Sequence, residues 1–334
     1  MSDSHVGMPQ ASRQRNVLST WIHAREFSVF CALVILFVIM SIASPYFFNA
    51  ENIFNVLRNM SFIAIISVGM TMVIITGGID LSVGSILAVC SMLTARLMWE
   101  GVNPLISFII GLMFGIALGA LNGFIITRMK VNPFITTMGM MSIARGLTYY
   151  IATGVKGAVA SNIPLKNPVL NFMGSGYLGP IPMPVIEMAL LVLIASYFLR
   201  YTVLGRQVYA VGSNIEAARL SGVKVKNVQM FVHTLNGLMS ALAGIINAGL
   251  LATAPTNAGT GVELDVIAAV IIGGASLSGG SGTIYGAVLG ASIMAIIRNA
   301  FVLLHLPAFM QTITIGVVLI LAVASDNLRS KQAR

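Results

Sequence analysis

The sequence predicts an all-α, polytopic membrane protein with about ten transmembrane helices in two related halves and both termini cytoplasmic. Three observations carry that expectation. Of 334 residues, 57% are hydrophobic and only 9% charged, with a mean hydropathy of +0.91; a soluble domain of this size holds roughly a quarter charged residues. The apolar runs repeatedly reach the roughly 20 residues that a helix needs to cross a bilayer, and hydrocarbon, which cannot satisfy free backbone groups, demands helices there rather than open sheet. The charge is also lopsided. The tail to Glu26, Thr127–Pro133, Arg200–Val228 and the stretch from Asp326 hold 13 of the 19 Lys and Arg, against three in the segments assigned to the other side. The net charge of +9 thus reports topology through the positive-inside rule, and calls for no nucleic-acid partner.

Taken in order, residues 1–26 read as a polar cytoplasmic tail and 27–325 as the membrane domain. Phe27–Ser44 is the first span, an uncleaved anchor, because its leader is long and its apolar run exceeds a signal core. Pro45–Asn59 lies outside. Met60–Thr76 is the second span, broken by GGIDLSVGS at Gly77–Ser85, and Gly84–Trp99 the third. Leu105–Ile126, the fourth, places Gly111, Gly115, Gly119 and Gly123 on one face, where a neighbouring backbone can come close. A basic turn, Thr127–Pro133, leads to Phe134–Ile151 and then to an outside loop, Ala152–Pro182. That loop contains GSGYLG at Gly174–Gly179, a literal match to the dinucleotide fingerprint. No strand pattern precedes it and Pro180, Pro182 and Pro184 follow, so the match is accidental. Met183–Leu199 and Gln229–Leu251 are spans six and seven. A shorter eighth, Leu264–Leu277, is interrupted at Gly273 and Gly274. Thr283–Leu304 and Ala308–Ala324 complete the set, with 326–334 as a second cytoplasmic tail.

Two local features stand out. Within the basic loop 200–228, Ser213–Val223 reads as a short capped helix: Ser213 and Glu216 fit a capping box, and Gly222 can turn left-handed to stop it. Such a helix is either a knob that docks into a partner at the membrane face or an amphipathic segment resting on lipid headgroups. The second feature is an internal echo. Gly77–Ser85 recurs in register as Gly273–Ser281, each copy ending one span and opening the next, as in transporters whose two halves break their helices at matching places.

Enzymatic chemistry has little to work with. The chain contains no GxxxxGK[ST], HExxH, CxxC or GxSxG, and its histidines at 5, 23, 233 and 305 are scattered. No catalytic residue, metal ligand or bound cofactor is expected. The ionisable residues in or near spans are Asp80, Arg96, Arg145, Glu187, Asp265 and Arg298; Asp80, in the broken turn, is the best placed to act. Thr71, Thr76, Asp80, Asn122, Asn236 and Asn247 are the polar residues that can line a path or bond between helices. Cys31 and Cys90, both in apolar runs, read as core residues rather than a redox pair.

Four ordered stretches carry a resemblance: Gly69–Ser85, Val131–Thr137, AVGSNIEAARLSGV at Ala210–Val223, and Gly261–Ala291. Together they resemble the permease subunit of bacterial ribose-type monosaccharide ABC importers, the ribose, xylose and arabinose branch, from about Ser44 to Asn327. The resemblance implies an inner-membrane homodimer in membrane lipid, a periplasmic sugar-binding protein that delivers the substrate, and a cytoplasmic ABC ATPase that holds ATP and Mg. The segment gripped by that ATPase would then include Gly212, Asn214, Glu216, Ala217, Ala218, Arg219 and Gly222. An ion-coupled secondary transporter working through Asp80, or a related permease for a nucleoside, amino acid or signalling sugar derivative, are the competing readings.

Overall fold

The computed structural model describes residues 25–153 and 160–332. Most of the expected N-terminal tail and six residues of the expected outside loop therefore lie outside the described residues. The described residues are predominantly helical. Its helices are α1 (Arg25–Ala43), α2 (Ala50–Ile75), α3 (Val83–Trp99), α4 (Pro104–Arg128), α5 (Pro133–Ala152), α6 (Pro168–Ser175), α7 (Met183–Tyr201), α8 (Val203–Ser213), α9 (Ile215–Leu220), α10 (Val225–Leu251), α11 (Val262–Ile272), α12 (Ile284–Leu303) and α13 (Ala308–Gln332). Among the described residues, strands are limited to β1 (Asn162–Pro164), which pairs with β4 (Thr253–Pro255), and a hairpin of β2 (Tyr177–Leu178) with β3 (Ile181–Pro182).

Each expected span falls on a helix, yet seven of them are long and apolar enough by themselves to cross a membrane: α1, α2, α4, α7, α10, α12 and α13. The helix α3 has 17 residues and α11 has 11, while α5 has the length but lies outside that apolar set. Several boundaries move. Asn49 caps α2 by accepting from the Glu51 amide at 3.1 Å, so the helix starts ten residues before the expected Met60 and turns most of the expected loop Pro45–Asn59 into helix. Conversely, α11 stops at Ile272, because Gly274 adopts a φ of +97° that a helix cannot continue. The helix α13 runs past Asp326, well into the expected tail.

The core is organised around α2, whose residues from Met60 to Thr76 are buried without interruption. The helices α10, α12, α7 and α11 pack around it, and α1 and α13 are exposed along most of their length. The glycine stripe of α4 meets α10 as its spacing predicts. A Cβ on Gly119 would strike the His233 carbonyl, one on Gly115 the Ala241 side chain, and one on Gly123 the Met230 backbone. Gly237 of α10 leaves reciprocal room for Gly115 and Gly119. Two backbones without side chains between them approach closely, and this seam fixes the register of α4 against α10.

The GSGYLG stretch is no nucleotide loop. Gly174 ends α6 against the α10 backbone, and Gly179, at φ +62°, makes the β2–β3 turn. Arginines near the spans are spent on structure. Arg145 donates to the carbonyls of Thr256 (3.1 Å) and Ala258 (2.8 Å), Arg96 pairs with Glu100, and Arg298 pairs with the buried Asp265.

Candidate functional site

Two places bring the singled-out residues together. The first is a buried polar knot at the α2–α3 break. Gly77, at φ +80°, turns the chain out of α2, and in the irregular residues that follow Asp80 is fully buried. Its Oδ1 accepts from the Ser82 amide (2.9 Å) and hydroxyl (2.6 Å). Its Oδ2 accepts from the Asn236 carboxamide (3.1 Å) and faces the His233 Nδ1 at 3.4 Å. The Ser82 hydroxyl in turn accepts from Asn122 (2.9 Å). One carboxylate thus ties the break to α4 and α10, and every member of the knot is buried. A buried charge is tolerable only when it is so fully hydrogen-bonded.

Three of the six polar path residues, Asp80, Asn122 and Asn236, belong to this knot. The other three do not. Thr71 and Thr76 spend their hydroxyls on carbonyls of their own helix, Ser67 (2.6 Å) and Val73 (2.8 Å), and Asn247 lies half-buried about three turns beyond Asn236 along α10. His233 and Ser82 are the members that sequence reasoning passed over. A signal existed: His233 and Asn236 stand three residues apart, on one face of an apolar helix. Among the described residues, no cluster of three His, Cys, Asp or Glu could hold a metal.

The second place is the basic loop, which folds as two helices rather than one. Ser213 ends α8, and Asn214 is the cap of α9, accepting from the Ala217 amide at 2.9 Å. The expected capping box between Ser213 and Glu216 is therefore corrected: Asn outranks a helical Ser as cap, and Glu216 instead meets Arg219 at 2.7 Å. Gly222, at φ +83°, stops the helix as expected. Glu216 and Arg219 are each 68% exposed, whereas Ala218 is buried and faces the bundle.

Beneath this loop, three backbones meet. The Gly280 amide donates to the Ile75 carbonyl at 2.8 Å, joining the second copy of the internal echo to the last residue of α2, just ahead of the first copy. Gly212 of α8 lies so close that an added Cβ would strike both the Ile75 carbonyl and the Gly280 amide. The Tyr209 hydroxyl donates to the Gly282 carbonyl (2.8 Å); burial, and then the nearby Glu26 carboxylate, raise this phenol above its usual value and keep it a donor. On the far side, Asp326 accepts from the Ser276 hydroxyl (2.9 Å) and the Leu277 amide (3.1 Å). The glycine-rich turn 276–282 is therefore held by α8, α2 and α13 at once.

The family described as branched-chain amino acid transport system / permease component matches residues 52–323. The ribose import permease RbsC of Escherichia coli is 40% identical over 316 residues, 95% of this chain and 97% of that protein. The ribose import permease RbsC of Bacillus subtilis is 41% identical over 310 residues, 92% and 94% of the two chains. The autoinducer 2 import system permease LsrC of Photorhabdus luminescens is 32% identical over 306 residues, 91% and 90%. No solved structure matches. With the family matched over most of this chain and the ribose import permeases covered over more than nine-tenths of their length, the chain belongs to the ABC-transporter permease family, among its ribose-type members, and is a multi-pass inner-membrane transport subunit rather than an enzyme.

Proposed function

We propose that this permease carries a monosaccharide of the ribose class inward, driven by ATP hydrolysis in a separate ABC ATPase that holds ATP and Mg. The observation that carries the reading is the exposed, capped helix α9 mounted on a three-backbone junction. An outward-facing knob of two turns has little reason to be braced against both helix breaks unless something pulls on it. In this reading Asn214 shapes the knob, Glu216 and Arg219 meet the ATPase, and Ala217, Ala218, Gly212 and Gly222 permit its docking. The similarity to two ribose import permeases supports the substrate class. An ABC permease works with an ATPase and a substrate-binding protein, and a second copy of this chain completes the path.

The same reading sets ten crossings, with α3, α5 and α11 counted through their packing against longer helices, two related halves, and both termini in the cytoplasm. The knot at Asp80 is then a brace between moving helices rather than a sugar contact, since both carboxylate oxygens are already occupied. The likeness to an autoinducer 2 permease, at lower identity, favours a signalling sugar derivative as the second reading.

The test is co-purification from native membranes in mild detergent, followed by reconstitution. An ATPase retained with the chain, with uptake that stops when ATP is depleted while the ion gradient is held, is the expected result. Gradient-driven uptake by a complex without ATPase would defeat the proposal and return Asp80 to the role of ion coupler. Screening the cognate binding protein against ribose, other pentoses, hexoses and autoinducer 2 then decides the substrate.

A further inference from the structure

Between α7, α8 and α12 lies a cavity of about 400 Å³ that is separate from the knot and shares only Tyr209 with the junction. Its polar lining is Ser196, Arg200, Arg206, Tyr209, Thr283 and Tyr285, and its apolar lining is Leu199 and Ile284. The two guanidinium groups have donors to spare. Neither pairs with a carboxylate among the described residues: Arg200 lies over the Tyr201 ring at 5.5 Å, and Arg206 makes a single long bond, 3.4 Å, to the Tyr201 carbonyl. Glu26 approaches this wall but accepts from Thr283 at 3.0 Å. The Ser196 hydroxyl is buried and has no partner.

These groups sit where α7 leaves the apolar zone, at a level marked by the exposed rings of Tyr197, Tyr201 and Tyr285. Tyrosine collects at the headgroup boundary, because its ring is apolar and its hydroxyl wet. Two cations, the unpartnered Ser196 hydroxyl and an apolar flank at that depth match one chemistry, a phosphate diester carrying acyl chains. We propose that the cavity is a site for an anionic phospholipid, its phosphate gripped by Arg200 and Arg206 and its acyl chains laid along the exposed face of α7. Because Tyr209 lines the cavity and also bonds the glycine-rich turn, an occupied site steadies α8 against α12 and the junction with it. The placement rests on the reading that residues 200–228 face the cytoplasmic leaflet.

The experiment uses the purified, delipidated full chain. It is incubated with vesicles of phosphatidylcholine alone, or of phosphatidylcholine and phosphatidylglycerol in equal parts, and then examined by native mass spectrometry and thermal unfolding. The wild type is expected to retain phosphatidylglycerol from the mixture and to melt higher there. R200Q/R206Q is expected to bind it about thirtyfold more weakly, with R200K/R206K intermediate and confirming a properly folded scaffold. Equal retention by the glutamine variant overturns the proposal. So does equal protection by inorganic phosphate in phosphatidylcholine alone, which would make this a free-anion site. Normal lipid retention with loss of a co-purified ATPase would make it a protein contact, and overturn it too. Since lipid retention needs neither sugar nor ATPase, its failure leaves the importer reading standing, and failure of the importer reading leaves lipid retention in place.

Discussion

At the scale of residues, Asp80 carries the most consequence. Three donors converge on its two oxygens, with the His233 Nδ1 facing one of them, so Asp80→Asn presents an NH2 group to atoms that themselves donate. An unmet buried group of this kind costs about 1–3 kcal/mol. Asp80→Asn should therefore lower both uptake and the melting temperature of the detergent-solubilised chain; unchanged values in both would mean that the knot is ornamental. A double-mutant cycle with His233→Ala reads their coupling directly, with about 0.5–3 kcal/mol expected for groups in one network. The sequence made Asp80, Asn122 and Asn236 visible as polar residues in apolar surroundings. It could not say that they touch, because 156 residues separate Asp80 from Asn236 and only the packed fold closes that distance. Thr71, Thr76 and Asn247 looked equivalent to them for the same reason.

Among elements, the spacing of glycines in α4 announced a close helix contact, and the structure supplies its partner, α10. Gly119→Val should force the seam apart and cost about 1–3 kcal/mol, since its Cβ would land on the His233 carbonyl. Gly139→Ala, on α5 where nothing lies within 4 Å, should instead gain about 0.5–1 kcal/mol from a better helix former. Thermal unfolding of the two variants in the same detergent checks both signs. Helix ends were less legible than helix interiors. The start of α2 depends on Asn49, and that of α9 on Asn214, where a capping box one residue earlier read equally well. Asn214→Ala should remove about 1 kcal/mol from α9, seen as faster hydrogen exchange at the Ala217 amide.

For the whole molecule, hydropathy and charge identified the membrane class, but not how many helices are self-sufficient in it. A short helix such as α11 is secured by its neighbours, and single-sequence hydropathy has no access to neighbours. The surface of the loop gives the sharpest prediction at this scale. Glu216 and Arg219 form an exposed pair worth about 0–1 kcal/mol, so Glu216→Lys and Arg219→Glu should leave melting unchanged while uptake falls at least several-fold in reconstituted vesicles. Normal uptake by both variants would remove the loop from the transport mechanism.

The bond from the Gly280 amide to the Ile75 carbonyl has a kinetic corollary. Two hinges spliced at one atom pair cannot relax on separate clocks. Whatever frees the turn near Gly280 also frees the stretch after Ile75, so their amides should exchange with deuterium in a common phase, governed by a single opening rate, and should speed up together under any perturbation that loosens either one.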